Sequence, residues 1–146
     1  MHVVVDASVL VEIIVETDGA IAEWLTELVG SDDTYWVPGL TPLEVISALR
    51  SLVARGQLEE AVAQSAVKWL PTFAVKYRPI GQIEAIRIWE LRGNVTAYDA
   101  AYVALAEALQ AETGGRAVLA TADEKLAQAP GPTCLIELYR SPSSTG

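Results

Sequence analysis

Residues 117–126 read AVLATADEKL, and residues 2–8 read HVVVDAS. In both, a short run of small or β-branched apolar residues stops at a carboxylate and a helix-forming run follows. Unbroken apolar runs of this length suit a strand buried on both faces, as in a parallel sheet. Asp6 and Asp123 therefore mark where the chain leaves a buried sheet and enters a helix. In an open α/β sheet that edge is where ligands bind.

Working outward from these blocks, strands are expected at residues 3–5, 35–37, 74–77, 118–120 and 134–138. Helices are expected at 7–15, 19–29, 42–55, 58–70, 83–91, 97–112 and 123–127. The strand at 74–77 reads as an edge strand because Pro79 follows it. SDDT at 31–34 reads as a turn. SPSSTG at 141–146 reads as a disordered tail beyond a single domain of residues 1–140. The alternation predicts a three-layer α/β/α fold, with a short-stranded, mostly parallel central sheet and helices on both faces.

The 146 residues suffice for one sizeable core. Hydrophobic residues make up 51% and the mean hydropathy is +0.29, which leaves apolar surface for another protein to cover. Ten Lys and Arg against nineteen Asp and Glu give a net charge of −9. That sign is the reverse of what suits a protein holding nucleic acid mainly through its phosphates. The lone cysteine, Cys134, allows no disulfide within the chain. MHVVVD carries no basic leader segment. Asp6, Glu12 and Glu16 interrupt the first apolar run well short of the roughly 18 residues a membrane span needs. The expectation is a soluble, cytoplasmic protein with no membrane association.

Two further acids open predicted helices: Glu44 in TPLEV and Asp99 in TAYDAAY. The bland reading is helix capping. Thr41-Pro42-Leu43-Glu44 has the form of a capping box with Pro at the first helical position, and Thr96 to Asp99 has the same form. In Thr121 to Glu124 the capping acid would be Glu124, with Asp123 a dipole-favoured neighbour. Asp6 could itself be an N-cap. Caps alone, however, do not require acids at four core-adjacent positions. Asp99 also opens a helix apolar on nearly every side, hence a central one.

Four carboxylates on one edge repel one another unless a cation lies between them. Hard oxygen donors select Mg²⁺ or Mn²⁺, which activates water and stabilises charge on a reacting phosphate. The candidate catalytic and metal-binding residues are Asp6, Glu44, Asp99 and Asp123. Ser8 and Thr121 are candidates for orienting a carboxylate or a water. The only histidine, His2, reads as solvating the N-terminus, which excludes histidine-dependent triads and most zinc sites. There is no P-loop and no dinucleotide-binding glycine motif.

These blocks resemble those of the PIN-domain nucleases, specifically the small VapC-type toxins of toxin–antitoxin pairs. The matching features are a strand followed by Asp6-Ala7-Ser8, Glu44 in TPLEVISAL after the second strand, TAYDAAYVALAEAL around Asp99, and LATADEKLA around Asp123. The likeness runs from residue 3 to about residue 138 with order and spacing intact. It implies a Mg²⁺- or Mn²⁺-dependent endoribonuclease with Asp6, Glu44, Asp99 and Asp123 as the metal-binding acids. It also implies a homodimer, and a cognate antitoxin whose C-terminal segment pushes a basic side chain into the acidic pocket. The helices at 42–55 and 58–70 would help grip that segment.

Charge is the departure from this pattern. Arg50, Arg55, Arg87, Arg92, Arg116 and Lys125 lie near predicted helix ends or the acidic edge. Arg87 and Arg92, which precede the Asp99 block, are the candidate phosphate contacts, with surface helix charge as the competing reading. Rival functions are a PIN-like RNA-processing nuclease outside a toxin–antitoxin pair and a PIN module that binds without cutting. A haloacid-dehalogenase-type phosphatase would need a second acid where Ser8 stands.

Overall fold

The computed structural model describes residues 1–16, 18–30, 34–70 and 75–141. The elements in chain order are β1 (His2–Val5), α1 (Ala7–Val15), α2 (Ala20–Leu28), β2 (Tyr35–Pro38), α3 (Thr41–Ala54) and α4 (Glu60–Trp69). There follow β3 (Val75–Arg78), α5 (Gln82–Glu90), α6 (Ala97–Thr113), β4 (Ala117–Thr121), α7 (Glu124–Gln128) and β5 (Leu135–Leu138). The strands form one sheet in the order β3-β2-β1-β4-β5, and every adjacent pair is parallel.

The apolar runs behave as their composition dictates. Val3, Val4 and Val5 are fully buried at the middle of the sheet, and β4 is buried along its whole length beside them. Burial on both faces needs two helical layers. From β1 the chain winds outward through β2 to β3, then returns to the other side of β1 for β4 and β5. Right-handed crossovers running in opposite directions place their helices on opposite faces. Accordingly α6 packs on β1, β2 and β4 with α5 against it, while α1 packs with α2, α3 and α4. The expected three-layer arrangement is the one observed, and strand order reverses beside β1. Such a switch point leaves a crevice at the carboxyl ends of the strands.

Helix α6 is central, as its alanine-rich sequence implies, with Ala100 through Ala106 and Leu109 buried. The Thr96 hydroxyl caps its start, and Gly114 ends it at φ 67°, a conformation that suits glycine. Its first residues nevertheless face outward, and Tyr98 is 63% exposed. His2 does not solvate the N-terminus. It lies in β1, where its Nδ1 accepts the Trp36 indole N–H at 3.1 Å.

Edge strand β3 forms at residues 75–78; the expected residue 74 lies outside the described residues, as do most of the turn at 31–34 and the tail from 142 onward. Among the described residues no helix is long and apolar enough to cross a membrane.

Candidate active site

The strand register brings the first pair of site residues together. Val5 pairs with Ala120 across β1 and β4, and the Asp6 amide donates to the Ala120 carbonyl at 2.9 Å. Asp6 and Thr121 thus leave the sheet side by side. Asp6 occupies the N-cap position of α1, yet its side chain makes no capping hydrogen bond. Its Oδ2 instead accepts from the Ser8 hydroxyl at 2.5 Å and the Thr121 hydroxyl at 2.8 Å. Each hydroxyl is polarised from behind by a backbone amide. Ala122 N–H donates to Ser8 at 3.0 Å, and Asp123 N–H donates to Thr121 at 3.0 Å. Both hydroxyl protons are directed at one oxygen, so Asp6 is fixed in rotation.

Asp123 differs from the sequence expectation. It is itself the N-cap of α7, its Oδ1 accepting from the Lys125 and Leu126 amides at 2.9 and 3.4 Å. Glu124 is not the capping acid. A second expected capping box, Thr41 to Glu44, also fails. Glu44 does not cap α3, whose N-cap is Leu40, and the Thr41 hydroxyl pairs with the Tyr102 hydroxyl at 2.9 Å instead. Glu44 Oε1 is buried with no hydrogen-bond partner among the described residues. An orphaned carboxylate oxygen is costly to keep, so its presence asks for a cationic or donor partner. At Asp99 the Thr96 hydroxyl accepts the backbone amide at 3.2 Å. That cap therefore does not depend on the carboxylate.

Asp6, Glu44, Asp99 and Asp123, from four different segments, line one cleft of about 470 Å³. Asp6 is only 4% exposed. Burial pushes its carboxyl above the usual range, Ser8 and Thr121 oppose the rise, and Asp99 and Asp123 add to it. Burial likewise raises Glu44, against the pull of the Tyr102 hydroxyl and with repulsion from Asp6 and Asp99. Asp99 is raised by burial and by Asp123, with Thr96 opposing. The acids thus feel one another's charge.

No three of the described His, Cys, Asp and Glu side chains close round a common point to hold an ion as they stand. Carboxylate oxygens are nevertheless the donors that a hard divalent cation takes. The donor set, all carboxylate with one buried oxygen orphaned, fits such an ion.

The PIN domain family model matches residues 3–132. Ribonuclease VapC9 of Mycobacterium tuberculosis is 36% identical over 130 residues, covering 85% of this chain and 95% of that protein. Ribonuclease VapC1 of the same organism is 41% identical over 103 residues, covering 70% and 73%. The chain is a PIN domain of the VapC family. Among solved structures, VapBC2 from Rickettsia felis bound to a promoter DNA fragment superposes with a TM-score of 0.68 at 15% identity, over 96% of this chain and all of that one. At that identity the likeness speaks for the fold.

Within this PIN domain the two predicted phosphate contacts stand apart from the acids. Arg87 donates to Glu107 at 2.7 and 3.1 Å and to the Gly131 carbonyl at 2.8 Å, and lines a different depression between α5 and α6. Arg92 lies over the Trp89 ring at 4.3 Å and donates to the Trp89 carbonyl. Neither lines the acidic cleft. Two residues that do were not singled out as site residues by the sequence reading, Glu12 and Arg55. Helical spacing could have found both. Glu12 is one turn beyond Ser8 on α1, and Arg55 is three turns beyond Glu44 along α3 through Ala48, Ser51 and Leu52, which also line the cleft.

Proposed function

We propose that this protein is a Mg²⁺- or Mn²⁺-dependent endoribonuclease that serves as the toxin of a VapBC-type pair in the cytoplasm. The observation that carries the reading is the convergence of Asp6, Glu44, Asp99 and Asp123 on one cleft at the switch point of the sheet, with Glu44 Oε1 buried and without a hydrogen-bond partner among the described residues. The naming of VapC9 and VapC1 as ribonucleases, at 36% and 41% identity, supports RNA as substrate.

Asp6, Glu44, Asp99 and Asp123 would hold the ion. When bound, it supplies Lewis-acid charge that activates water and stabilises the oxygens of a phosphodiester under attack. The chain's own contribution is preorganisation. Ser8 and Thr121 hold Asp6 with Oδ2 already satisfied, which leaves Oδ1 directed elsewhere. Thr121 also ties down the Asp123 amide. Tyr102 is fully buried beside Glu44, and burial pushes its hydroxyl further above the ordinary tyrosine value.

VapBC complexes among the structural neighbours support a cognate antitoxin as partner. An apolar groove of about 280 Å³ between α1 and α4, lined by Ile13, Ile14, Val62 and Trp69 among others, suits a helical segment of such a protein. Helix α5 presents Ile83 and Trp89 at 79% and 67% exposure, which supports a homodimer through that face.

Controlled expression in a bacterial host tests the role. The expected result is growth arrest by the wild type, relieved by co-expression of the cognate antitoxin and absent in Asp99→Asn. Growth unaffected by soluble wild-type protein overturns the toxin reading.

A further inference from the structure

We propose that Arg55 is the residue that grips the RNA backbone beside the reacting phosphate, a deepening that rests on the ribonuclease reading above. The electrostatic problem is specific to this chain. Its net charge is −9, and the cleft is walled by five acids, Asp6, Glu12, Glu44, Asp99 and Asp123. A bound ion can offset charge at the reacting phosphate. The neighbouring phosphates still approach a negative wall, and their affinity depends on cationic side chains.

Arg55 is the one cationic residue among the described residues that lines this cleft. The other cations are placed differently. Arg78 pairs with Glu112 and Glu84, Arg87 with Glu107 and Glu90, and Arg140 with Glu124. Arg92 and Lys76 lie over tryptophan rings, and Arg116 binds the carbonyl of Thr113, the last residue of α6. Arg50, Lys68 and Lys125 do not line the cleft.

Arg55 is exposed, and its guanidinium is steadied by a bond from Nε to the Ser51 carbonyl at 3.3 Å. That single anchor sits on the edge of the fork that contains Nε and leaves the terminal nitrogens for a phosphate.

Helix geometry sets the distance. Arg55 lies on the Glu44 face, about 16 Å further along the axis. The Nε bond to the Ser51 carbonyl, one turn back along α3, draws the guanidinium back toward the acids. It therefore reaches a flanking phosphate and not the one being cut. A bland role also exists, because a cation at the C-terminus of α3 interacts well with the helix dipole. Only the RNA role changes how binding depends on salt.

The test compares full-length wild type, Arg55→Ala and Arg55→Lys on one single-stranded RNA with Mn²⁺. Arg55→Ala is expected to raise KM roughly tenfold, the size of one charge-assisted hydrogen bond, with kcat and melting temperature little changed. The slope of log KM against log salt should become shallower by about 0.7, one single-strand phosphate contact. Arg55→Lys should recover the slope and part of the affinity. An unchanged KM and slope overturns the proposal while the nuclease reading stands. So does a loss confined to melting temperature, or a gain in activity. If the wild type does not cut, the nuclease reading falls. Binding of the same RNA in Ca²⁺ then decides the role of Arg55, and a Kd equal in wild type and Arg55→Ala, or no binding at all, overturns it.

Discussion

The Thr121 hydroxyl donates to Asp6 Oδ2 at 2.8 Å across 115 positions of sequence, joining the ends of two adjacent parallel strands. The same oxygen atom of Thr121 accepts the Asp123 amide. One side chain thus orients two acids of the cleft. Replacing it with Val keeps the shape and removes both roles. Thr121→Val should lower activity about 10- to 100-fold, the usual effect of losing a group that orients a ligand. It should also cost about 1–3 kcal/mol, since Thr121 is fully buried and the Asp123 amide loses its partner. Thr121→Ser should restore most of the activity. Initial rates and urea melts on the three proteins measure this, and equal rates in all three would remove Thr121 from the site.

Asp99→Asn separates site from cap. The Thr96 cap uses the Asp99 amide, so the variant keeps its helix start. Removing a half-buried charge that Asp123 repels should leave the melting temperature level or raise it. Metal-dependent cleavage should fall by more than the roughly hundredfold typical of groups that only orient a ligand. A stable variant with full activity would take Asp99 out of the catalytic set.

Divalent metal should stabilise the fold, because it binds the assembled carboxylates and not the dispersed ones of the unfolded chain. At a hundred times its Kd the gain is about 2.7 kcal/mol. Burial raises the carboxyls of Asp6, Glu44 and Asp99, so protons compete with metal at pH above the usual carboxylate range. The shift in melting temperature with Mn²⁺ should shrink on acidification toward pH 5. A melting temperature indifferent to Mn²⁺ at every pH contradicts the metal assignment.

Glu107 governs a separate acid sensitivity. Burial acts to raise its carboxyl, but Arg87 and the Thr133 amide and hydroxyl outweigh it and hold it below the usual range. A depressed carboxyl contributes stability that is present above its unfolded pKa and lost as pH falls through its folded one. Glu107→Gln should therefore flatten the acid limb of the stability curve below about pH 4.5. Arg87→Ala leaves Glu107 with only its Thr133 donors and should cost about 1–3 kcal/mol, with RNA affinity unchanged. Melting curves from pH 3 to 7 and an RNA titration read out both. A loss of RNA affinity in Arg87→Ala at full stability would reinstate Arg87 as a phosphate contact.

The fold was legible because two kinds of signal agreed. Unbroken apolar runs at β1 and β4 announced buried parallel strands, and the alanine-rich run after Asp99 announced a central helix. The four acids were legible as helix starts, but not what each does there. Whether Glu44 caps its helix or faces a cleft depends on Tyr102, which is distant in sequence and takes the Thr41 hydroxyl for itself. The placement of Arg87 was hidden in the sequence for the same reason. Its partners, Glu107 and Gly131, come from later segments that only the folded α5–α6 pair brings near. Arg55 had a local signal, the helical repeat from Glu44, which charge counting along the sequence does not weigh.

The central claim is that these carboxylates form a metal-dependent RNA-cutting centre. The most direct measurement is a Mn²⁺ titration of purified, antitoxin-free protein with total cellular RNA, wild type beside Asp6→Asn. The account predicts discrete fragments that require both Mn²⁺ and the Asp6 carboxylate. Intact RNA at every Mn²⁺ concentration, or the same fragments from Asp6→Asn, would contradict it.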